Sequence, residues 1–170
     1  MATVARRAQP GDADDIDALT EALAGVSRTL MGVTARSLGA VDVEVTLVQF
    51  RALVVLRTAG SRNLGQMADA LGIQSSSMSR LGDRLFAKGL IDRRTSPTDR
   101  REVALALTLE GRRMVDRVLQ RRRREIAKIV SDIPSPQRRV LIDALRRFSE
   151  AAGEGGAGGA PEGSLGFATV

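Results

Sequence analysis

The chain has 170 residues, 43% of them hydrophobic, and a formal net charge of +6. It contains neither cysteine nor histidine, which excludes disulfides, thiolate metal sites, cysteine redox switches and any nucleophile–histidine pair. No apolar run is long enough to cross a bilayer, and the first residues lack the apolar stretch of a secretory signal, so a soluble, cytoplasmic protein without membrane association is expected.

Positive charge comes almost wholly from arginine, since Lys88 and Lys128 are the only lysines. The planar guanidinium suits phosphates and guanine edges, although a GC-rich genome produces the same bias. Composition alone therefore favours a polyanionic partner only modestly.

Residues 1–11 read as a flexible N-terminus and residues 12–45 as an N-terminal helical region. From Asp12 onward, Ile16, Leu19, Leu23, Val26, Leu30 and Val33 recur at alternating steps of three and four. That spacing predicts one helix with a narrow apolar seam. Asp12, Asp14 and Asp15 stand at its start, where the helix dipole favours carboxylates. The seam fits packing on the chain's own core, and equally a contact with a second copy. A second helix is predicted from Thr46 to about Thr58, with Phe50, Leu53, Val54 and Leu56 inward and Gly60 ending it.

The segment from Leu64 to Leu109 carries the most information. Asn63 can cap a short helix, with Gln66 three positions on completing a capping pair. Met67, Ala68 and Leu71 face inward, Gly72 supplies a tight turn, and Ile73 plugs the corner. A second helix starts near Gln74 or Ser75 and runs to about Lys88, with Met78, Leu81 and Leu85 on one face. Gly89 ends it and Leu90 packs back. Small residue, apolar residue, glycine and apolar residue at these offsets form a helix-turn-helix signature. The opposite face of the second helix opens with Gln74, Ser75, Ser76, Ser77, Ser79 and Arg80, and Arg84 lies one turn further on. Short hydroxyls and free backbone N–H groups at a helix start can approach phosphates and base edges. One serine suffices for capping; three in a row exceed that need.

A two-stranded ribbon is predicted next, from Leu90 to Arg94 and from Val103 to Leu107. Pro97 and Asp99 shape its turn. Arg100 and Arg101 stand at the tip or on the return strand, where a cation on a stiff hairpin can reach the minor groove. The plain alternative is an exposed hairpin with a local Asp–Arg pair. Two more helices follow. One runs from near Thr108 through Val115, Val118, Leu119, Ile126, Ile129, Val130 and Ile133, and stops at Pro134 and Pro136. The other carries Val140, Leu141, Leu145 and Phe148. The run Arg121 to Arg124 inside the first reads as a solvated face. Residues 153–170 include seven glycines and read as a disordered tail. The tail holds two glutamates and no cation, so the remainder carries +8.

From Leu47 to Gly111 the chain resembles the winged helix of the MarR family of bacterial transcription regulators. The resemblance rests on Gln49-Phe50, Leu64 to Ile73, Arg80-Leu81, Asp83-Arg84-Leu85, Lys88 to Arg94, Pro97 to Arg101 and Leu107 to Gly111. It implies a mainly α fold with a small β-wing, a winged helix-turn-helix over 46–109, and dimerisation helices on either side, the C-terminal pair over 110–152. It implies a homodimer joined through Ile16, Leu19, Leu23, Val26, Leu30, Leu141, Leu145 and Phe148. It also implies a repressor on near-palindromic duplex DNA, released by a small-molecule effector whose binding residues the sequence does not name. The DNA contacts expected are Asn63, Gln74, Ser75, Ser76, Ser77, Ser79, Arg80, Arg84, Arg94, Asp99, Arg100 and Arg101. A low-specificity architectural DNA-binding protein is the competing reading. With no phosphate loop or paired-carboxylate motif, no enzyme, cofactor, metal or catalytic residue is expected.

Overall fold

The computed structural model describes residues 10–95 and 103–153. In chain order these form α1 (Pro10–Leu38), α2 (Leu47–Ala59), β1 (Arg62–Asn63), α3 (Leu64–Leu71), α4 (Ser75–Ala87), β2 (Ile91–Thr95), β3 (Val103–Leu107), α5 (Leu109–Ser131) and α6 (Ser135–Ala151). No described helix is long and apolar enough to cross a membrane.

The core lies in the middle of the chain. Phe50 and Leu53 of α2, Met67 of α3, Met78 and Leu85 of α4, and Met114, Val115 and Val118 of α5 are fully buried together with Leu90, Ile91 and Leu105. Each such large side chain contributes roughly 1.5–3 kcal/mol by leaving water. The helices that supply it start and stop on specific residues. Thr46 and Gln49 form a reciprocal cap at the start of α2, and Asn63 and Gln66 do the same for α3. Gly72 and Gly89 end α3 and α4 with φ of 66° and 68°, values that a side chain would strain.

The sheet has three strands in the order β1-β3-β2, all antiparallel. The ribbon predicted from sequence is β2 paired with β3, running from Ile91 opposite Leu107 to Thr95 opposite Val103. The third strand corrects that expectation. Arg62 and Asn63 pair with Leu105 and Ala104, a contact of two residues that offers no alternation to detect.

The apolar seam of α1 proves to serve two surroundings. Its C-terminal half packs on α5, where Val33, Thr34 and Ser37 are buried. Thr34 Oγ1 accepts from Nε of Arg122 at 3.1 Å. The run Arg121 to Arg124 is accordingly not uniformly solvated: Arg122 is half-buried, and desolvation lowers its pKa from the ordinary value. The N-terminal half of α1 has no such cover. Ile16 and Leu19 are 61% and 59% exposed, and Val26 is exposed as well. At the other end α6 has no buried residue, and Leu141, Leu145 and Phe148 stand open.

Gly82 lies on the buried face of α4. A methyl group there would meet Leu105 Cδ1 at 3.6 Å and Leu64 Cδ2 at 3.8 Å, ordinary van der Waals contact. The glycine therefore leaves unfilled space and is not demanded by a close approach.

Candidate nucleic-acid interface

The face of α4 opposite Met78, Leu81 and Leu85 is open. Gln74, Ser75, Ser76, Ser77, Arg80 and Arg84 are exposed, and Ser79 is half-buried. The helix begins without a side-chain cap, because Gln74 occupies the cap position and makes no capping bond. The three serines fill the first turn beyond it. Among the described residues no hydrogen bond engages their hydroxyls, and no ion pair engages Arg80 or Arg84. Capping thus does not account for the serine run. A helix start left uncapped, with free N–H groups and short hydroxyls, suits an anionic partner.

Asn63 differs from these residues. Its Oδ1 accepts from Gln66 N at 2.8 Å, the bond that caps the start of α3.

The ribbon is tied to α4 by a contact that the sequence pattern does not reveal. The left-handed turn at Gly89 reverses the chain, so β2 runs back along α4. Arg93 of β2 pairs with Asp83 of α4. The same guanidinium stands over the ring of Phe86, 5.4 Å from its centroid, within cation–π range. Asp83 and Phe86 are both exposed, so the base of the ribbon and the open face of α4 meet at the surface. A pairing between residues ten apart has no periodic signature. Only the placement of the Gly89 turn would have suggested it.

Arg94 sits on β2 opposite Ala104. Asp99, Arg100 and Arg101, the wing-tip residues expected to touch DNA, lie outside the described residues, as does the tail from Glu154 onward. Among the described residues no cluster of acidic side chains could hold a metal ion.

A half-open groove of about 740 Å³ lies between the C-terminal half of α1 and the start of α2. Met31, Ala35, Leu38, Val41, Val45 and Leu47 make it mostly apolar, with Asp42 and Glu44 at its edge. The backbone carbonyl of Glu44 accepts a hydrogen bond from Nζ of Lys88, the residue that ends α4. One wall of the groove is thereby linked to the serine-fronted helix.

The model of the MarR family matches residues 45–103, from the cap of α2 into the wing. RV1404 from Mycobacterium tuberculosis, known as a crystal structure, is 45% identical over 82% of this chain and 95% of its own, with a TM-score of 0.74. The multiple antibiotic resistance protein MarR of Salmonella typhimurium is 32% identical over 46% of this chain, and the match spans only 54% of that protein. The transcriptional repressor MdtR of Bacillus subtilis is 29% identical over 64% of this chain and 70% of its own. With a 45%-identical relative spanned almost end to end, and the family model falling on the segment that folds as the winged helix, the chain belongs to the MarR family of transcriptional regulators.

Proposed function

We propose that the protein is a repressor that binds a near-palindromic duplex site as a homodimer. In this reading α4 enters the major groove, and Arg100 or Arg101 on the wing reaches the adjacent minor groove. The observation that carries it is the uncapped, serine-fronted outer face of α4, on which Arg80 and Arg84 make no ion pair among the described residues. The strut from Arg93 to Asp83 and Phe86 supports it, because helix and ribbon then present themselves to DNA as one unit. The homodimer is supported by α6, a 17-residue helix with no buried residue and an apolar strip. Most helical stability in proteins comes from packing an apolar face against a neighbour. The apolar groove beside α1 supports release by a small molecule, since its Glu44 wall holds the end of α4 through Lys88.

Selection of bound fragments from random duplex DNA tests the reading. Discrete paired half-sites are expected; uniform coating would make the protein architectural and sink the repressor. Within a selected site, Arg80→Ala should weaken binding by about 1–3 kcal/mol and relax preference at one position per half-site. Unchanged affinity and selectivity would remove Arg80 from base contact.

Arg93→Ala should separate folding from function. The exposed ion pair and ring contact contribute at most about 1 kcal/mol each to stability. Melting temperature should therefore move by only a few degrees, while affinity for a selected site falls several-fold as the wing loses its fixed relation to α4. A variant that melts lower and binds as before would reduce the strut to a stabilising contact.

A further inference from the structure

The cations of α5 form a row that its linear order conceals. At 3.6 residues per turn, Arg113, Arg117, Arg121, Arg124 and Lys128 fall within about 80° of the helix circumference. All of them are exposed. They make a ridge roughly 22 Å long, at 1.5 Å per residue. The other residues on this face are Glu110, Gln120 and Ser131, so it holds no apolar side chain. Glu110 meets Arg117 at 3.1 Å, and Glu125, from beside the ridge, meets Lys128 at 3.3 Å. Among the described residues Arg113, Arg121 and Arg124 make no ion pair. Helix stability does not call for such a row, because like charges three and four positions apart repel.

The composition of the ridge selects its partner. Protein partners bind around buried apolar or aromatic anchors, and the ridge offers none. Nucleic-acid contacts are polar and positive, and the guanidinium fork matches phosphate oxygens. A duplex carries one charge per about 1.7 Å of axis, so about a dozen phosphates lie along a ridge of this length. Position separates this surface from α4. Helix α5 packs on α1, α2 and β3, whereas α4 packs on α3 and β2. Both turn their buried residues to one core, so the ridge and the serine-fronted face look out on different sides of the molecule. A straight duplex seated on α4 leaves the ridge free.

We propose that the α5 ridge is a second, sequence-independent surface for the phosphate backbone of duplex DNA, and that it holds a segment other than the one under α4. A protein seated on its site then bridges to another stretch of DNA. This rests on the DNA-binding reading proposed above and adds a separate contact with its own salt dependence.

A capture assay on the full chain tests this. A selected duplex is immobilised and loaded with protein, and a fluorescent duplex of unrelated sequence is added. Capture of the second duplex is expected at low salt. It should fall on the order of 10²-fold as salt rises from about 50 to about 200 mM, if four or five phosphates are neutralised. Arg113→Gln with Arg121→Gln should weaken capture about tenfold and reduce the salt slope by about two, with the hold on the immobilised duplex unchanged. Arg112→Gln with Arg123→Gln removes the same charge from another face of α5 and should capture as the parent chain does. Circular dichroism checks that both variants keep their helices. Equal losses from the two pairs would reduce the effect to net charge and overturn the ridge. A ridge variant that loses its hold on the immobilised duplex as well would place both contacts on one segment and overturn the bridge. A parent chain that binds the selected duplex and captures nothing overturns the proposal alone; one that binds no duplex overturns the DNA-binding reading beneath it.

Discussion

A chain ending at Ile133 is expected to keep its winged helix and lose its hold on DNA. The buried cluster runs from Phe50 to Val118 and draws nothing from α6. Removing α6 should therefore leave the core packed and shift its melting temperature little. The cost should fall on assembly. Two winged helices joined in one molecule engage two half-sites with an effective concentration that raises affinity by about 10²–10⁴. A monomeric truncation forfeits that gain and should bind a selected duplex weaker by the same order. Sedimentation and fluorescence anisotropy on one preparation would read both changes. A chain ending at Ala152 is the control: it lacks only the glycine-rich tail and should dimerise and bind as the full chain does. Equal affinity for the Ile133 truncation would mean that one protomer suffices and that the paired site is mistaken.

The parts of this fold that could be read from sequence are those with local causes. Met67, Ala68 and Leu71, then Met78, Leu81 and Leu85, are spaced at helical period and are buried as that spacing requires. Gly72 and Gly89 mark positive-φ turns, and Asn63 with Gln66 marks a cap, because each effect acts within a few residues. What escaped depends on distant partners. β1 is defined only by its pairing with β3. Arg122 looks like one member of a charge run, yet it reaches Thr34, 88 residues away. Arg93 looks no different from Arg94 until β2 is laid along α4, beside Asp83 and Phe86. The α1 seam illustrates the limit most clearly. Its period is uniform from Ile16 to Val33, but one half is buried on α5 and the other is exposed. Periodicity states that a face is apolar and is silent on what meets it.

The corner between the wing and α5 supplies the sharpest test of how the fold is closed. Thr108 caps α5, accepting from Gly111 N at 2.9 Å while its hydroxyl donates to the Gly89 carbonyl at 2.7 Å. Thr108 N donates to the Leu90 carbonyl at 3.2 Å. These bonds draw the first turn of α5 onto the chain just after α4, and Gly111 takes the point of closest approach. A methyl group on Gly111 would lie 2.0 Å from the Leu90 carbonyl oxygen and 2.9 Å from its carbon. Both obstacles are backbone, and no rotamer change relieves them. Gly111→Ala must therefore push α5 outward, straining the Thr108 bonds and loosening Met114, Val115 and Val118 in the core. The loss should reach about 3 kcal/mol, the upper part of the range for overpacked sites. Urea unfolding would show it as a midpoint lowered by about 1–3 M, given usual slopes. Gly82→Ala is the matched comparison, because its methyl group meets only Leu105 and Leu64 at ordinary contact distance. It should stabilise by up to about 1 kcal/mol through helix propensity. If the two alanines shift the midpoint alike, close approach at Leu90 is not what the glycine at 111 serves.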